Sequence, residues 1–203
     1  MTETTEETYR ERLKERLLVT ADAIVAREGV DRLQARRVAE GADCSIGTLY
    51  NIFGDIDGLL LEVNARTLQD LGRVLSVAAR RSADSDLETR LNTLAIAYLD
   101  FATVNQRRWR AIFEHRMPET KIVPEIYFED RRQLLALIES QLSAALPDPM
   151  QLSDASHTLF AAVHGIVLLS LDAKLGPFEP AKCERHIRFL VGRVVTGLDA
   201  KRV

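Results

Sequence analysis

Apolar residues recur every three or four positions along most of the chain, which is the spacing of one face of an amphipathic α-helix. The first such segment carries Leu13, Leu17 and Val25, and Gly29 is a natural stop for it. No stretch of useful length alternates apolar and polar residues in the manner of a half-buried strand. The pattern therefore predicts an all-α fold of about nine helices, the last three of which cover about residues 126–146, 152–174 and 180–198.

The long fourth helix divides the chain into two parts. Asp55 and Asp57 suit its first turn, because carboxylates are stabilised at the positive end of the helix dipole. No flexible linker is visible near this helix, so the boundary should lie at or inside it. We expect an N-terminal domain over residues 1–55 and a second domain over residues 56–203.

Two short helical segments near the amino end, residues 35–41 and 46–52, are separated by a tight break. Ser45 lies at the end of the break, where its hydroxyl can accept a hydrogen bond from a free N–H of the next helix. This order of helix, turn and helix is that of a helix-turn-helix. Spacing alone leaves two interpretations open: a helix that enters the major groove of DNA, or a short buried helix in an α-helical core.

The side chains of the second short segment divide into two groups. The apolar residues of the two segments can pack together, and Ile46 would lie lower on the same side. The residues that pack are Val38, Ala39, Ala42, Leu49 and Phe53. Gly47 would let a DNA backbone approach closely. Thr48, Tyr50 and Asn51 then point outward, and an asparagine side chain is suited to adenine or phosphate.

The stretch VAEGADCSIGTLYNIFGDIDGLL, residues 38–60, resembles the N-terminal region of the tetracycline-repressor (TetR) family of transcriptional regulators. That family's pattern reads approximately I-A-x-x-A-G-V-S-x-G-T-L-Y-x-x-F-x-x-K-x-x-L, and the resemblance extends over about residues 9–60. It implies a ligand-responsive repressor that binds a palindromic operator as a homodimer. Each subunit would carry one N-terminal DNA-binding domain and one C-terminal domain for ligand binding and dimerisation.

The resemblance implies that DNA is contacted by residues in and beside the two short segments. The candidates are Gln34, Arg36, Arg37, Ser45, Ile46, Gly47, Thr48, Tyr50 and Asn51. The chain also departs from the family: Asp43 replaces the turn glycine, Cys44 the apolar residue after it, and Leu33-Gln34 the threonine start of the second helix. Ile56 replaces a lysine that often meets a phosphate, which should weaken DNA affinity and flatten its salt dependence unless Arg36 and Arg37 compensate.

Four cations near the start of the first helix could meet the DNA backbone, but Glu11 and Glu15 interleave with them. The four are Arg10, Arg12, Lys14 and Arg16. Two interpretations stay open, namely contacts with phosphates or a solvated helix face with ion pairs four residues apart.

The second domain carries a weaker signature. The stretch LFAAVHGIVLLSLD, residues 159–172, resembles a TetR subgroup with a tryptophan, three residues and then His-Gly in the C-terminal domain. Phe160 stands where the tryptophan would be, and His164 matches. These two side chains share a helix face, so they form either a pocket wall with a polar group or a helix-packing surface. The effector is an unidentified small molecule, for which an apolar compound is one candidate. The other residues expected to contact it are Tyr98, Trp109, Phe113, Met117, Tyr127 and Phe128.

Composition limits the classes of function and the cellular setting that fit the chain. The formal net charge is −3, so any basic footprint for DNA must be local. Cys44 and Cys183 lie far apart without a Cys/His cluster, so we expect no zinc site, no cofactor and a reduced, cytoplasmic setting. The acidic amino end does not resemble a signal peptide, and no run of about 18 apolar residues predicts a membrane span.

Two alternatives to the regulator complete the picture. An all-α enzyme is disfavoured, because the chain has no metal-binding His-x-x-x-His, no phosphate-binding glycine-rich loop and no catalytic motif. A dimeric ligand-binding protein with a weakened DNA-binding domain fits the missing lysine. Whether the protein is a regulator or a ligand-binding protein, the two apolar helices that close the chain are expected to form a four-helix interface between subunits.

Overall fold

The computed structural model describes the backbone of residues 3–115 and 125–199, and the side chains of residues 7–115 and 129–198. Within these ranges the chain forms nine α-helices and no β-strand, which confirms the predicted fold class. A single 3-10 turn, Val30–Arg32, follows the first helix. The helices are α1 Glu3–Glu28, α2 Ala35–Gly41, α3 Ile46–Phe53, α4 Ile56–Arg81, α5 Leu87–Val104, α6 Gln106–Glu114, α7 Glu125–Leu142, α8 Pro149–Leu171 and α9 Pro180–Asp199.

Polar side chains fix where several of these helices begin. Asp55 accepts a hydrogen bond from the backbone N–H of Gly58 at 2.9 Å, in the first turn of α4. Asp148 accepts one from Met150 at the start of α8, where Pro149 occupies the first helical position. Such caps satisfy backbone donors that have no partner within the helix.

The helices pack into two compact units. Unit 1 comprises Met1–Gln69 and Asn105–Tyr127, and unit 2 comprises Asp70–Val104 and Phe128–Val203. Helix α6 belongs to unit 1 because Arg108 forms an ion pair with Asp22 of α1 and Asn64 donates a hydrogen bond to the carbonyl of Ala111. Unit 1 therefore extends beyond residue 55. The expected end of the DNA-binding domain at residue 55 stays a prediction.

The core of unit 1 is an apolar cluster that joins α1, α2, α3 and α4. Its fully buried members include Leu17, Val38, Leu49 and Leu59. Because α3 contributes only one fully buried residue, Leu49, that side chain anchors the short helix to the rest of the unit.

Unit 2 contains a long apolar helix, α8. By length and composition it is able to cross a bilayer, with a mean hydropathy of 1.3 in its most apolar window. Only 22% of that window is buried within the chain. A single helix of this kind is a weak indication of a membrane span, because a helix covered by a partner subunit has a similar composition.

Candidate DNA-binding surface and effector cavity

The turn before α3 sets the direction of that helix. Asp43 has a φ of 52°, in the left-handed region that glycine and, among other residues, Asp and Asn tolerate best. Ser45 then begins the helix, since its Oγ accepts a hydrogen bond from the N–H of Thr48 at 3.0 Å. The turn therefore survives the replacement of the family's glycine, and the helix start expected at Ser45 is confirmed.

The side of α3 away from the core presents a mixed polar and apolar surface. Tyr50 is 44% exposed and Ile46 is 39% exposed, and Gly47 and Asn51 are exposed as well. Thr48 is half-buried, and its hydroxyl lies 2.8 Å from that of Ser45. The expectation that Ile46 packs low on the buried side is wrong, because the first turn of α3 lies outside the cluster anchored by Leu49. Contact of these residues with DNA remains a prediction.

The two arginines of α2 are engaged by carboxylates. Arg36 pairs with Glu40 at 2.8 Å on the same helix. Arg37 donates two hydrogen bonds to Glu28 at the end of α1, at 2.7 and 3.0 Å, and a third to the carbonyl of Arg32. These contacts raise the pKa of both guanidinium groups and lower that of the Glu28 carboxyl. Either arginine would have to share or leave its partner to bind a phosphate.

Two further positions of the α2–α4 region, Gln34 and Ile56, differ in exposure. Gln34 is exposed and precedes α2 without capping it through its side chain. Ile56, at the position of the family's lysine, packs partly buried against the unit 1 core. That position therefore supplies packing energy in this chain and no positive charge.

Unit 2 contains an apolar cavity of about 50 Å³. Side chains from α4, α5, α7, α8 and α9 line it, among them Leu71, Leu94, Leu134, Leu159 and Val191. Since a water molecule occupies about 30 Å³ in the liquid, the cavity is smaller than any site for a drug-sized ligand. A bound effector would have to displace side chains of this lining.

Three of the residues expected to contact an effector lie together beside the cavity. Tyr98 and Phe160 line it, and their rings meet edge to face at 5.9 Å between centroids. His164 stacks on Phe160 at 5.8 Å, and its Nδ1 lies 2.7 Å from the Tyr98 hydroxyl. Burial lowers the pKa of His164, which favours the neutral ring. His164 thus lies beside the cavity and has a hydrogen-bond partner, so the pocket wall and the helix-packing surface both remain open.

Two further candidates, Trp109 and Phe113, do not line this cavity. Trp109 is fully buried in unit 1, where its ring lies 5.5 Å from that of Phe113. These two residues are not part of the cavity lining, since α6 packs with α1 and α4, and their contact with an effector stays a prediction. Met117 lies outside the described residues, and so do the side chains of Tyr127 and Phe128.

Comparison with known proteins assigns both parts of the chain. Residues 17–63 match the family model of bacterial regulatory proteins, tetR family, and residues 91–194 match that of the tetracyclin repressor-like C-terminal domain. The chain is 30% identical over 146 residues to the HTH-type transcriptional regulator BetI of Burkholderia thailandensis, covering 70% of this chain and 72% of that protein. The chain belongs to the TetR family. It is accordingly a DNA-binding transcriptional regulator.

Solved structures share the fold of this TetR-family chain. A protein of unknown function from Rhodococcus sp. RHA1 superposes with a TM-score of 0.74 at 22% identity, covering 89% of this chain and 94% of that one. A TetR-family regulator from Mesorhizobium loti MAFF303099 gives a TM-score of 0.67 at 19% identity, with 92% and 96% covered. At these identities the likeness establishes the fold alone.

Two features of this TetR-family chain escaped the sequence pattern. The first is Gly58, where an added Cβ would lie 2.2 Å from the carbonyl oxygen of Phe53. The second is Asn64, a fully buried side chain in unit 1 whose amide reaches Ala111, 47 residues later. Gly58 had a local signal, since it follows Asp55 by three residues, but nothing near Asn64 indicates its distant partner.

Proposed function

We propose that the chain is a repressor that binds a two-fold symmetric DNA operator as a homodimer, with α3 of each subunit in the major groove. The observation that carries this proposal is the outward face of α3. Tyr50 and Asn51 are exposed on a helix that is capped by Ser45 and anchored by Leu49. Side chains held in this manner can reach base edges without first being ordered.

The proposed dimer interface is the face of α8 and α9 that the chain itself does not cover. Leu169 of α8 is 42% exposed and Phe189 of α9 is 66% exposed. Large apolar side chains exposed on neighbouring helices favour burial against the same surface of a second copy. The same interface accounts for the apolar composition of α8. We propose the cytoplasm as the place where this regulator binds DNA.

The proposed effector is a mostly apolar small molecule that enters the unit 2 cavity. Its one polar group would face the Tyr98–His164 pair, the hydrogen-bonding groups beside an otherwise apolar lining. Helix α4 runs from unit 1 into unit 2, so a conformation of α4 selected by the effector would change the placement of α3. DNA affinity would then fall by population shift.

Selection from a random-sequence library of duplexes tests the DNA-binding part, with duplexes of about 30 base pairs to span two half-sites. The purified protein should enrich a two-fold symmetric sequence. Tyr50→Ala should weaken binding in a fluorescence anisotropy titration. Val104→Ala is the matched control, because Val104 is 82% exposed on α5 in unit 2. Equal affinities of Tyr50→Ala and the wild type would exclude the proposed role of α3.

Sedimentation equilibrium tests the dimer. Leu169→Asp places a charge on the proposed interface and should give a monomer, whereas Val104→Asp should leave the assembly unchanged. A dimer that persists in Leu169→Asp, or a wild type that is monomeric at every concentration, would contradict the interface.

A second candidate function is that of a dimeric ligand-binding protein with weakened DNA affinity. The ion pairs of Arg36 and Arg37 and the isoleucine at position 56 favour it, because carboxylates engage two cations of the DNA-binding region and the family's lysine is absent. Retention of the protein on heparin at low salt separates the two functions: a regulator should be retained, and the second candidate should elute early.

A further inference from the structure

Several cations of unit 1 form ion pairs with a neighbouring carboxylate. Arg36 and Arg37 are paired as described, and Arg66 pairs with Glu15 at 2.5 Å. Lys14 lies 2.8 Å from Glu62 of α4. By contrast, Arg12 and Arg16 of α1 are exposed, and neither has an ion-pair partner among the described residues. Their charges are therefore available to a ligand that approaches from solvent.

These two arginines lie on the face of α1 that meets the end of α2. Residues 12, 16 and 20 are four apart and share one face of α1. The methyl group of Thr20 lies 2.7 Å from the position of an added Cβ at Gly41, so this face meets the end of α2. Arg16 lies one helical turn earlier on this face. Burial raises the pKa of the Cys44 thiol in the turn before α3, and the charge of Arg16 acts in the opposite direction.

The acidic residues of α1 do not cancel these charges. Glu15 is held by Arg66 of α4. Glu11 is exposed on the same side as Glu15, four residues before it. Asp43 is the carboxylate closest in sequence to the α3 start, and it faces the same turn as Arg16. This face of α1 thus carries two positive charges, and Asp43 carries one negative charge beside the amino end of α3.

We propose that Arg12 and Arg16 form a phosphate-binding stripe that holds the DNA backbone beside α3. This inference rests on the proposed function, since it needs α3 in the groove. The stripe would supply the contact with the DNA backbone that Ile56 cannot make. The arrangement divides the four α1 cations: Lys14 belongs to an ion pair, Arg10 lies four residues before it, and Arg12 and Arg16 share the face that meets α2.

The experiment is an anisotropy titration of the full chain at several salt concentrations, with the duplex recovered by selection and an unrelated duplex of equal length. The double variant Arg12→Ala/Arg16→Ala should lose affinity for both duplexes, by on the order of tenfold per contact near 0.1 M salt. The slope of log K against log salt should flatten by about 1.8 per subunit. Arg12→Lys/Arg16→Lys should retain most of the slope, because it keeps both charges.

The matched control is Arg80→Ala/Arg81→Ala, which removes the same charge from exposed positions of α4 in unit 2 and should leave the slope unchanged. An unchanged slope in Arg12→Ala/Arg16→Ala would overturn the stripe, and Tyr50→Ala would still weaken binding if the proposed function holds. A wild type that binds neither duplex would overturn both proposals. Circular dichroism should match the wild type in every variant, because the replaced side chains are exposed.

Discussion

Gly58 is the position where one added methyl group should do most damage to the DNA-binding unit. It lies in the first turn of α4, four residues after Gly54, which ends α3 with a φ of 78°. A Cβ built at Gly58 lies 2.2 Å from the carbonyl oxygen of Phe53 and 3.3 Å from its carbon. Cβ atoms do not approach backbone oxygens within 3.0 Å, so Gly58→Ala requires the end of α3 to move.

The sign of the effect follows from two opposing terms. Alanine is favoured over glycine in a helix by about 1 kcal/mol, and by less in the first turn. Inserting a methyl group without space costs about 1–3 kcal/mol, and the upper part of that range applies where the clash is with backbone. We therefore expect Gly58→Ala to lower the free energy of unfolding by about 1–2 kcal/mol. The displaced α3 should also bind DNA more weakly.

Gly72→Ala, in the same helix, is the matched control. Its Cβ would meet only the Cδ2 atom of Leu134, at 3.7 Å, which is an ordinary contact. It should stabilise the chain by about 0.5–1 kcal/mol. Urea unfolding at one fixed protein concentration measures both variants, and anisotropy measures DNA affinity. If Gly58→Ala proves as stable as Gly72→Ala and binds DNA as the wild type does, the close approach at Phe53 is not real.

Four further predictions follow from single residues. Ser45→Ala should cost about 1 kcal/mol and speed amide exchange at the start of α3, whereas Ser45→Asp, which keeps an acceptor, should not. Asn64→Ala should cost about 1–3 kcal/mol in urea unfolding, because it removes the buried hydrogen bond to α6; a wild-type midpoint would contradict this. Asp43→Asn should tighten DNA binding in anisotropy titrations while keeping the left-handed turn, so unchanged affinity would mean that this carboxylate lies far from the DNA. Because burial lowers the pKa of His164 from 6.5, the unfolded chain takes up the proton first, and unfolding should become easier as the pH falls below about 6.5; an identical pH profile in His164→Phe would refute it.

The helices could be predicted from sequence because each carries its own periodic apolar face and its own end signals. Ser45 caps α3 and Gly54 ends it, and both are local features. The clustering of Tyr98 with Phe160 and His164 was harder to predict, because it joins residues of α5 and α8. The helical spacing of Phe160 and His164 identified one half of it, and the aromatic character of Tyr98 suggested the other.

What could not be predicted depends on contacts between distant segments. The sequence places Trp109 among a run of aromatic residues and gives no sign that α6 packs with α1. The same limit applies to charge. Arg36 and Arg37 appear equally available in the sequence, yet Glu28, nine residues before Arg37, holds that guanidinium by two hydrogen bonds. Local pattern identifies which residues are charged, and only the fold decides which charges remain free.

The small cavity sets a condition on any effector response. A ligand changes DNA affinity only by the difference in its own affinity for the DNA-bound and DNA-free conformations. A tenfold release corresponds to about 1.4 kcal/mol, or about 55 Å² of apolar surface buried in one conformation and not in the other. Rearranging a single leucine of the lining, such as Leu94 or Leu134, changes burial by that order. A cavity of about 50 Å³ that must open for its ligand is therefore sufficient for control, provided that opening is compatible with only one of the two conformations.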